Sequence, residues 1–277
     1  MGSRQYYTIG EVSKMCNIST KALRYYDKIG IISPDVISEE NGYRYYDRKT
    51  LLNVPVLKYY KQMGFKLEEM QELLEGSSYQ TVRHCLHDKL DELKVQMKEL
   101  QDSLIAAQDW YNLVHEAELV VQNNIRDVSV KYVPGLVFCF MDQEFAYDYI
   151  ESIINISWTN YLEEHAEQIT GPVILGFQNV REKREGACKR CTIMQQAVTP
   201  DARKGIQIQT SAAMAASVYH IGGHDTIGET YERLEQWLSQ HGYDCGTRCF
   251  ERYVVDYWTT RNPEEFVTEI LVPLRKI

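Results

Sequence analysis

The sequence predicts an α+β protein with three successive parts: a winged helix-turn-helix, a long antiparallel coiled-coil helix for dimerisation, and a duplicated β-β-α-β-β domain. Three observations support this prediction. Capping and turn signals fill the first quarter of the chain, an unbroken heptad repeat follows, and a strand–helix pattern then occurs twice. The 277 residues exceed the roughly 100–200 of a typical single domain. We therefore place the domains at 1–76, 77–122 and 123–277.

The first two helices are marked by their capping residues. Thr8 stands three residues before Glu11, which is the spacing of a capping box. After a short polar break, Ser19 caps a second helix over 20–29, and Gly30 supplies its C-terminal stop. Two short helices joined by a tight turn predict a helix-turn-helix.

A wing is predicted directly after these helices. The Asn-Gly pair at 41–42 is a strong hairpin signal, and residues 43–46 behind it are strand-prone. Asp47 then caps a third helix, and a further short helix ends near Gly76. This order of elements favours a winged helix-turn-helix.

The second part is helical and carries a heptad repeat. No Gly or Pro interrupts residues 77–133, and apolar positions there alternate spacings of four and three residues. These positions are Leu86, Leu90, Leu93, Met97, Leu100, Leu104, Ala107, Tyr111 and Val114. A period of roughly 3.5 residues favours a coiled-coil seam, and hence a homodimer, over one amphipathic helix packed on its own domain.

The third part alternates strands with longer helices. Its first unit is predicted to have strands at 128–132, 137–141, 173–178 and 191–198, a helix at 145–164 and a charged loop at 181–186. Its second unit is predicted to have strands at 206–210, 216–220, 249–255 and 267–274 and a helix at 226–241. The shared β-β-α-β-β order indicates an internal duplication.

Charge is distributed unevenly along the chain. The net charge is −9, yet residues 1–66 hold 11 Lys and Arg against 6 Asp and Glu, and the remaining residues hold 19 against 33. A basic segment on an acidic body is typical of a DNA-binding head attached to another domain. Chance segregation is the alternative on charge alone.

The composition excludes several protein classes. With 44% hydrophobic and 25% charged residues, the chain is neither collagen-like nor disordered. No apolar run approaches the roughly 18 residues of a membrane helix, and the N-terminus lacks the apolar core of a signal peptide. Seven cysteines without an export signal indicate free thiols in a reducing compartment. We therefore expect a cytoplasmic protein with no membrane partner.

Three sequence blocks resemble a known family. They are YTIGEVS at 7–13, KALRYYDKIG at 21–30 and NGYRYY at 41–46. Together they resemble the MerR family of bacterial transcription regulators over residues 6–75, and the long helix that follows also fits. The third part resembles, more loosely, the GyrI-like effector domain of multidrug-sensing MerR proteins. That resemblance rests on the duplication, on Asn155-x-Ser157-Trp158 and on Phe250-Glu251.

The resemblance implies a mode of action. A MerR-like homodimer binds double-stranded promoter DNA and distorts it, so that RNA polymerase can use promoter elements that are spaced too far apart. In physical terms this is indirect readout, in which DNA deformation is offset by protein contacts. The implied effector is a lipophilic aromatic or cationic small molecule.

Candidate DNA contacts follow from helix geometry and from the resemblance. Lys21, Arg24 and Tyr25 share one helical face, where Arg can bind guanine or phosphate. The resemblance places Arg24 and Tyr25 at the DNA, further residues on the wing, and one lysine at the DNA backbone. The full predicted set is Lys21, Arg24, Tyr25, Tyr43, Arg44 and Lys66. For Tyr26 and Tyr46, packing in the core is an equal alternative.

The candidate effector site combines aromatic rings with strand-interior carboxylates. Glu251 lies within an apolar strand and is expected to share a face with Tyr253 and Val255. A buried carboxylate is expensive without a partner, and aromatic faces bind lipophilic cations. The resemblance assigns Glu251 to cation binding, so the predicted ligand residues are Glu251, Trp158, Tyr219, Glu269 and Tyr253. The alternative is that Glu251 is exposed or pairs with Arg252.

Two other functions remain open from the sequence. Stand-alone GyrI-like domains resemble hydrolases, so Glu251 and Trp158 could act on a bound drug. Cys188 and Cys191 form one Cys-x-x-Cys, which with Cys245 and Cys249 could form a redox or metal sensor. Free thiols are the favoured interpretation, because only one such pair is present, and we predict no metal, no cofactor and no enzyme activity.

Overall fold

The computed structural model describes residues 6–74, 78–201, 205–246 and 248–276. Its contacts divide the chain into two compact units, Met1–Lys98 and Glu99–Ile277, and each is described by itself. The predicted domain boundary at 76–77, with the predicted helix end near Gly76, lies outside the described residues.

The first unit begins with a small sheet and four helices. Their bounds are β1 Tyr6–Thr8, α1 Ile9–Met15, α2 Thr20–Lys28, β2 Val36–Ile37, β3 Arg44–Asp47, α3 Arg48–Gln62 and α4 Leu67–Leu74. The sheet has the order β1-β3-β2, and β1 is a strand that the sequence did not predict. The predicted capping box of Thr8 and Glu11 is present, and Ser19 Oγ accepts the Ala22 N–H at 3.1 Å. The predicted helix-turn-helix and wing are confirmed.

The core of the first unit includes both tyrosines whose role the sequence left open. Tyr46 is fully buried and Tyr26 nearly so, beside Val12, Leu23 and Leu57. Both side chains therefore pack in the core. Asp47, which directly follows Tyr46, accepts the Thr50 N–H at 2.8 Å and caps α3 as predicted.

The long helix α5 spans Tyr79–Gln122. Leu86 packs against the core of the first unit, whereas the heptad residues from Leu90 to Tyr111 are exposed; Leu100, for example, is 71% exposed and Leu104 68%. Further along, Leu113, Ala117 and Val120 are buried against the sheet of the second unit. The heptad seam is therefore uncovered on the single chain over much of its length.

The described residues of the second unit form one eight-stranded sheet, which is accompanied by helices. Its elements are β4 Ser129–Val133, β5 Val137–Glu144, α6 Tyr149–Ile153, α7 Ile156–Glu164, β6 Ile169–Phe177, α8 Val180–Arg184, β7 Arg190–Ala197, β8 Gln207–Gln209, β9 Ala213–Ile221, α9 Ile227–Gln240, β10 Cys249–Val255 and β11 Val267–Pro273. Short 3₁₀ turns lie at His224–Thr226 and Pro263–Glu265. The predicted duplicated order of strands and helices is confirmed.

Two predicted elements of the first repeat are wrong in detail. The helix predicted at 145–164 is two helices, α6 and α7, because Asn155 accepts the Trp158 N–H at 2.8 Å and starts a new helix. The loop predicted at 181–186 contains the short helix α8. Asn179 caps it by accepting the N–H groups of Arg181 and Glu182.

The strand order β4-β9-β11-β10-β6-β7-β5-β8 is symmetric under exchange of the two repeats. The first strand of each repeat pairs with the second strand of the other, β4 with β9 and β8 with β5. All the pairs are antiparallel, and β11 lies between β9 and β10. The two repeats therefore build one sheet jointly.

A register shift in β10 alters which side chains share a face. The pairing with β11 is irregular between Tyr253 and Val255, and Val255 packs with Leu113 and Val120 of α5. A bulge of this kind moves the following side chain to the other face of a sheet. The prediction that Val255 shares the face of Glu251 is therefore wrong.

Candidate DNA-binding surface and effector site

The second helix of the helix-turn-helix presents a basic outer face. Lys21, Arg24 and Tyr25 are exposed, and Tyr25 keeps 50% of its accessible surface. The opposite face buries Leu23 and Tyr26. This division fixes the orientation of α2, so the three predicted contacts lie on its solvent side together.

The wing is tied to α2 through an ion pair. Arg44 Nε lies 2.8 Å from Asp27 Oδ2, and the arginine side chain remains about one third exposed, at 35%. Tyr43, which precedes it and follows the turn glycine Gly42 at φ 68°, is 57% exposed. Lys66 is also exposed, at the start of α4. All six predicted DNA contacts thus reach the surface.

A cavity of about 740 Å³ in the second unit opens between the first turn of α6, α8 and α9. Its walls include Tyr147, Tyr149, Lys183, His224 and Tyr231. A cavity of this size accommodates a drug-sized molecule. Glu251 does not line the cavity and lies beneath these side chains.

A buried lysine contacts Glu251. Lys183 is 3% exposed, and its Nζ lies 3.0 Å from Glu251 Oε1 and donates a hydrogen bond to the Tyr149 hydroxyl at 2.7 Å. Val180 and Lys183 form the buried face of α8, whereas Arg181 and Arg184 contact Glu235 from its outer side. The Lys183 ammonium group is thus held in the core by a short helix at the cavity wall.

Glu251 is fully buried yet well supplied with donors. The Tyr231 hydroxyl donates to Oε1 at 2.8 Å, and the Tyr253 hydroxyl donates to Oε2 at 2.6 Å. Burial opposes ionisation of Glu251, but the charge of Lys183 and these hydrogen bonds outweigh it and hold the pKa below its ordinary value. Glu251 is therefore a carboxylate with a cation already paired to it.

Aromatic rings surround the Lys183 ammonium group. Its Nζ lies between 4.8 and 5.3 Å from the ring centroids of Phe145, Tyr147, Tyr149, Phe177 and Tyr231. These separations are within the range of cation–π attraction. We call this set of five rings with Glu251 the Glu251 cage.

His224 completes the rim of the cavity. Its ring stacks on Tyr149 with centroids 4.3 Å apart and planes 13° apart, and its Nε2 lies 3.2 Å from Thr268 Oγ1. Burial lowers the pKa of His224 to about 4, so the ring is neutral at neutral pH. Its Nδ1 is buried and has no hydrogen-bond partner among the described residues.

Two predicted ligand residues lie on the opposite face of the sheet from Glu251. Glu269 stands directly across from Arg252 in the strand register, and Arg252 Nε donates to its Oε2 at 2.7 Å. Tyr219 donates to Glu116 of α5 at 2.8 Å. Because neighbouring residues of a strand face opposite sides, Arg252 points away from Glu251. The prediction that Tyr219 and Glu269 join Glu251 is wrong, as is the alternative pairing of Glu251 with Arg252.

Trp158 and Tyr253 line a second, smaller space. A cleft of about 270 Å³ lies between α5 and the sheet, with walls that also include Trp110, Trp258 and Asp256. Asp256 is 4% exposed and accepts the Trp258 N–H at 2.8 Å. Burial raises its pKa to about 6. Tyr253 thus borders the cleft while its hydroxyl binds Glu251.

The cysteines of the second unit are buried thiols. Cys188, Cys191, Cys245 and Cys249 belong to its hydrophobic core and are free. Burial raises the pKa of Cys191 to about 11 and that of Cys249 to about 12, which disfavours the reactive thiolate. Within the described ranges, no group of three or more His, Cys, Asp or Glu side chains could hold a metal ion.

Sequence reasoning missed Lys183 and the role of its helix. Lys183 stands among four other charged residues at 181–185, and nothing in its identity separates it from the exposed arginines nearby. A helical interpretation of the segment would place Val180 and Lys183 on one face, three residues apart. Only that pairing with an apolar residue could have identified it.

Three family matches cover most of the chain. Residues 7–77 match the family described as MerR HTH family regulatory protein, and residues 54–105 match the family described as MerR, DNA binding. Residues 126–275, more than half of the chain, match the GyrI-like small molecule binding domain. Among the described residues, no helix is both long and apolar enough to cross a membrane.

Individual relatives match either the whole chain or its first part. The multidrug-efflux transporter 2 regulator of Bacillus subtilis is 24% identical over 99% of this chain and 98% of its own length. The HTH-type transcriptional regulator CueR of Escherichia coli O6:H1 is 34% identical over 34% of this chain and 72% of its own length. The solved structure of the EcmrR-DNA complex in EcmrR-RPo is 23% identical, with a TM-score of 0.46, over 98% of this chain and 100% of its own.

Proposed function

The chain belongs to the MerR family of helix-turn-helix regulators and carries a GyrI-like small-molecule-binding domain, and from this premise we propose how its sites serve ligand-responsive transcription control. The helix-turn-helix binds promoter DNA, and the cavity above the Glu251 cage binds a lipophilic aromatic or cationic effector. The observation on which the effector site depends is a buried carboxylate, ringed by aromatic side chains, beneath a cavity of about 740 Å³.

The DNA contacts in this proposal are the six exposed residues of α2, the wing and α4. Lys21 and Arg24 bring cations to phosphates or guanine edges, and Tyr25 packs beside them. Tyr43 and Arg44 supply wing contacts, and the Asp27–Arg44 ion pair holds the wing against the recognition helix. Family membership and the shared solvent side of these side chains support this assignment.

A titration of promoter DNA tests the recognition helix. Arg24→Ala should weaken binding by about five- to 150-fold, because a bidentate base contact contributes roughly 1–3 kcal/mol. Arg275→Ala is the matched control, since Arg275 is also exposed but lies in the GyrI-like domain. Equal losses for both variants in a fluorescence-anisotropy titration would contradict the assignment.

Three further statements belong to this proposal. The protein is a homodimer through the exposed heptad seam of α5, which an unpaired chain would leave in water. It acts with RNA polymerase at the promoter, as the family resemblance implies. It works in the cytoplasm, where a bacterial promoter is available to it.

The effector site is expected to bind without turnover. A hydrolase would need Glu251 free to move a proton or activate water, but Lys183, Tyr231 and Tyr253 all bind it and it is fully buried. Thermal unfolding with a panel of aromatic cations should identify stabilising ligands. Mass spectrometry of each ligand after incubation should recover it unchanged, and a hydrolysed product would contradict this part of the proposal.

A further inference from the structure

The Glu251 cage already holds a cation supplied by the chain itself. The Lys183 ammonium makes the ion pair, the tyrosine hydrogen bond and the ring contacts that a bound alkylammonium ligand would make. We propose that Lys183 is a built-in occupant of the effector's cation site, and that a cationic effector binds by displacing its ammonium group. This inference rests on the proposed function and concerns the regulation of the same site.

The position of Lys183 supports displacement. Lys183, Tyr149 and Tyr231 line the cavity, whereas Glu251 does not, so an incoming molecule meets the ammonium group before the carboxylate. Lys183 is carried by α8, a helix of five residues whose other basic side chains lie at the surface. Rotation of a flexible side chain on so short an element would move the ammonium group toward water.

The exchange conserves charge inside the protein. Glu251 must keep a cation, since an unpaired buried carboxylate is strongly unfavourable. An effector ammonium can take over the ion pair and the ring contacts, and the released Lys183 regains hydration. The apolar body of the effector fills the cavity, and its burial then determines whether the effector or Lys183 occupies the site. A neutral molecule of the same shape can fill the cavity but leaves Lys183 in place.

Displacement also defines two states of the domain. In one state Lys183 anchors α8 to Glu251 on β10, and in the other this anchor is absent. A ligand shifts such an equilibrium only through its differential affinity for the two states. A cationic ligand that replaces Lys183 binds the state in which Lys183 has left Glu251, so its affinities for the two states differ. A neutral ligand that leaves Lys183 in place has no such difference in affinity.

Calorimetric titration of the full chain tests the proposal. The probes are 2-phenylethylammonium and its uncharged counterpart 2-phenylethanol, against wild type, Lys183→Ala and the double variant Lys183→Ala with Glu251→Gln. Removing the competing ammonium should raise the affinity for 2-phenylethylammonium at least about tenfold, because a cation–π and ion-pair site becomes vacant. The affinity for 2-phenylethanol should change little, and Glu251→Gln should abolish the gain.

Several results would overturn the proposal. Equal affinity of the ammonium probe for wild type and Lys183→Ala would do so, and so would a gain that survives Glu251→Gln. A loss of ammonium binding in Asp256→Asn, with none of the expected gain in Lys183→Ala, would instead place the cation in the cleft beside α5.

The remaining measurements deal with folding and with the proposed function. If Lys183→Ala is unstable alone, 2-phenylethylammonium should raise its Tm by more than it raises that of wild type, and an equal or smaller rise would overturn the proposal. DNA titration and the effector panel test the proposed function separately. The DNA titration and the effector panel can therefore support the proposed function with wild type even if the Lys183→Ala titration overturns the displacement of Lys183.

Discussion

Glu251 and Lys183 show how strongly one buried charge depends on another. Each side chain is almost entirely removed from water, and each has the other as its charged partner at 3.0 Å. Desolvation of such a pair offsets much of its attraction, so the pair as a whole adds little stability. Removal of one member alone is different, because it leaves the other charge buried without a partner.

Glu251→Gln is therefore expected to destabilise the folded protein. The variant leaves the Lys183 ammonium in the Glu251 cage without its carboxylate, and the expected loss in the free energy of unfolding is about 3–5 kcal/mol. Urea denaturation at pH 7 measures it. The double variant Lys183→Met with Glu251→Gln is the control and should lose less stability than Glu251→Gln alone. Additive losses from the two sites would show that the residues are not coupled.

Asp256 predicts a dependence of stability on pH. Its carboxyl pKa is about 6 in the folded protein against 3.8 ordinarily, so the folded state binds the proton more tightly. The contribution of Asp256 is thus fully present below pH 3.8 and is lost as the pH rises through about 6. At pH 7, Asp256→Asn should raise the free energy of unfolding by about 1–3 kcal/mol, and this gain should vanish below about pH 4.

Urea denaturation of both proteins at pH 7 and pH 4 measures this difference. Asp127→Asn is the matched control, because the Asp127 side chain is exposed and its replacement should change stability little at either pH. A gain for Asp256→Asn that is the same at both pH values would contradict the assigned burial effect.

At the residue scale, the sequence could identify Glu251 but not its partner. A carboxylate within an apolar strand is unusual whatever the fold, so the local pattern suffices. The neighbours of Glu251 depend on strand register and on a helix more than 60 residues earlier in the chain. Tyr219 and Glu269 were misplaced for that reason, since only the register shows that Glu269 faces Arg252.

At the scale of elements, the exposed seam of α5 carries a prediction about dimerisation. Leu93→Asp with Leu100→Asp puts charges into the heptad seam, where an unpaired carboxylate costs several kcal/mol. We expect the dimer dissociation constant to rise at least about a hundredfold, which corresponds to about 3 kcal/mol. Sedimentation equilibrium measures the change.

The control for this prediction adds the same charge elsewhere on the helix. Val95 and Ile105 are exposed apolar residues that lie outside the heptad positions. Val95→Asp with Ile105→Asp should leave the dimer nearly intact. If both double variants dissociate alike, the seam is not the interface and the coiled-coil assignment fails.

Elements with strong local signals were predictable, and elements defined by tertiary packing were not. The caps at Thr8, Ser19 and Asp47 each act within three residues, so their helices follow from the sequence. The three-residue strand β1 exists only because it pairs with β3. The break between α6 and α7 depends on Asn155, whose capping role competes with helical periodicity over 145–164.

At the scale of the whole molecule, opposite charges are separated along the chain. A head with an excess of basic residues is joined to a body that is strongly acidic. Contacts to DNA phosphates release counterions, so binding should fall steeply with salt. The acidic body adds repulsion toward DNA and should thereby favour binding through the head alone.

Lys66→Ala tests the phosphate contact assigned to α4. The slope of log affinity against log salt should become shallower by about one for each head, whatever the DNA sequence, because one phosphate contact is lost. Lys276→Ala is the control, since Lys276 is an exposed lysine of the second unit. An unchanged slope for Lys66→Ala would remove Lys66 from the interface.

The position of β11 has a consequence for how the protein is made. On a translating ribosome, β11 emerges after the other seven strands of the described sheet, although its place is between β9 and β10. Until residues 267–273 are outside the exit tunnel, the sheet consists of two separate pieces, β4-β9 and β10-β6-β7-β5-β8. Each piece then presents an open strand edge to solvent, which makes the nascent chain prone to aggregate. A chain truncated just before residue 267 should therefore depend on chaperones, because its sensor domain lacks the strand that joins the two pieces of the sheet.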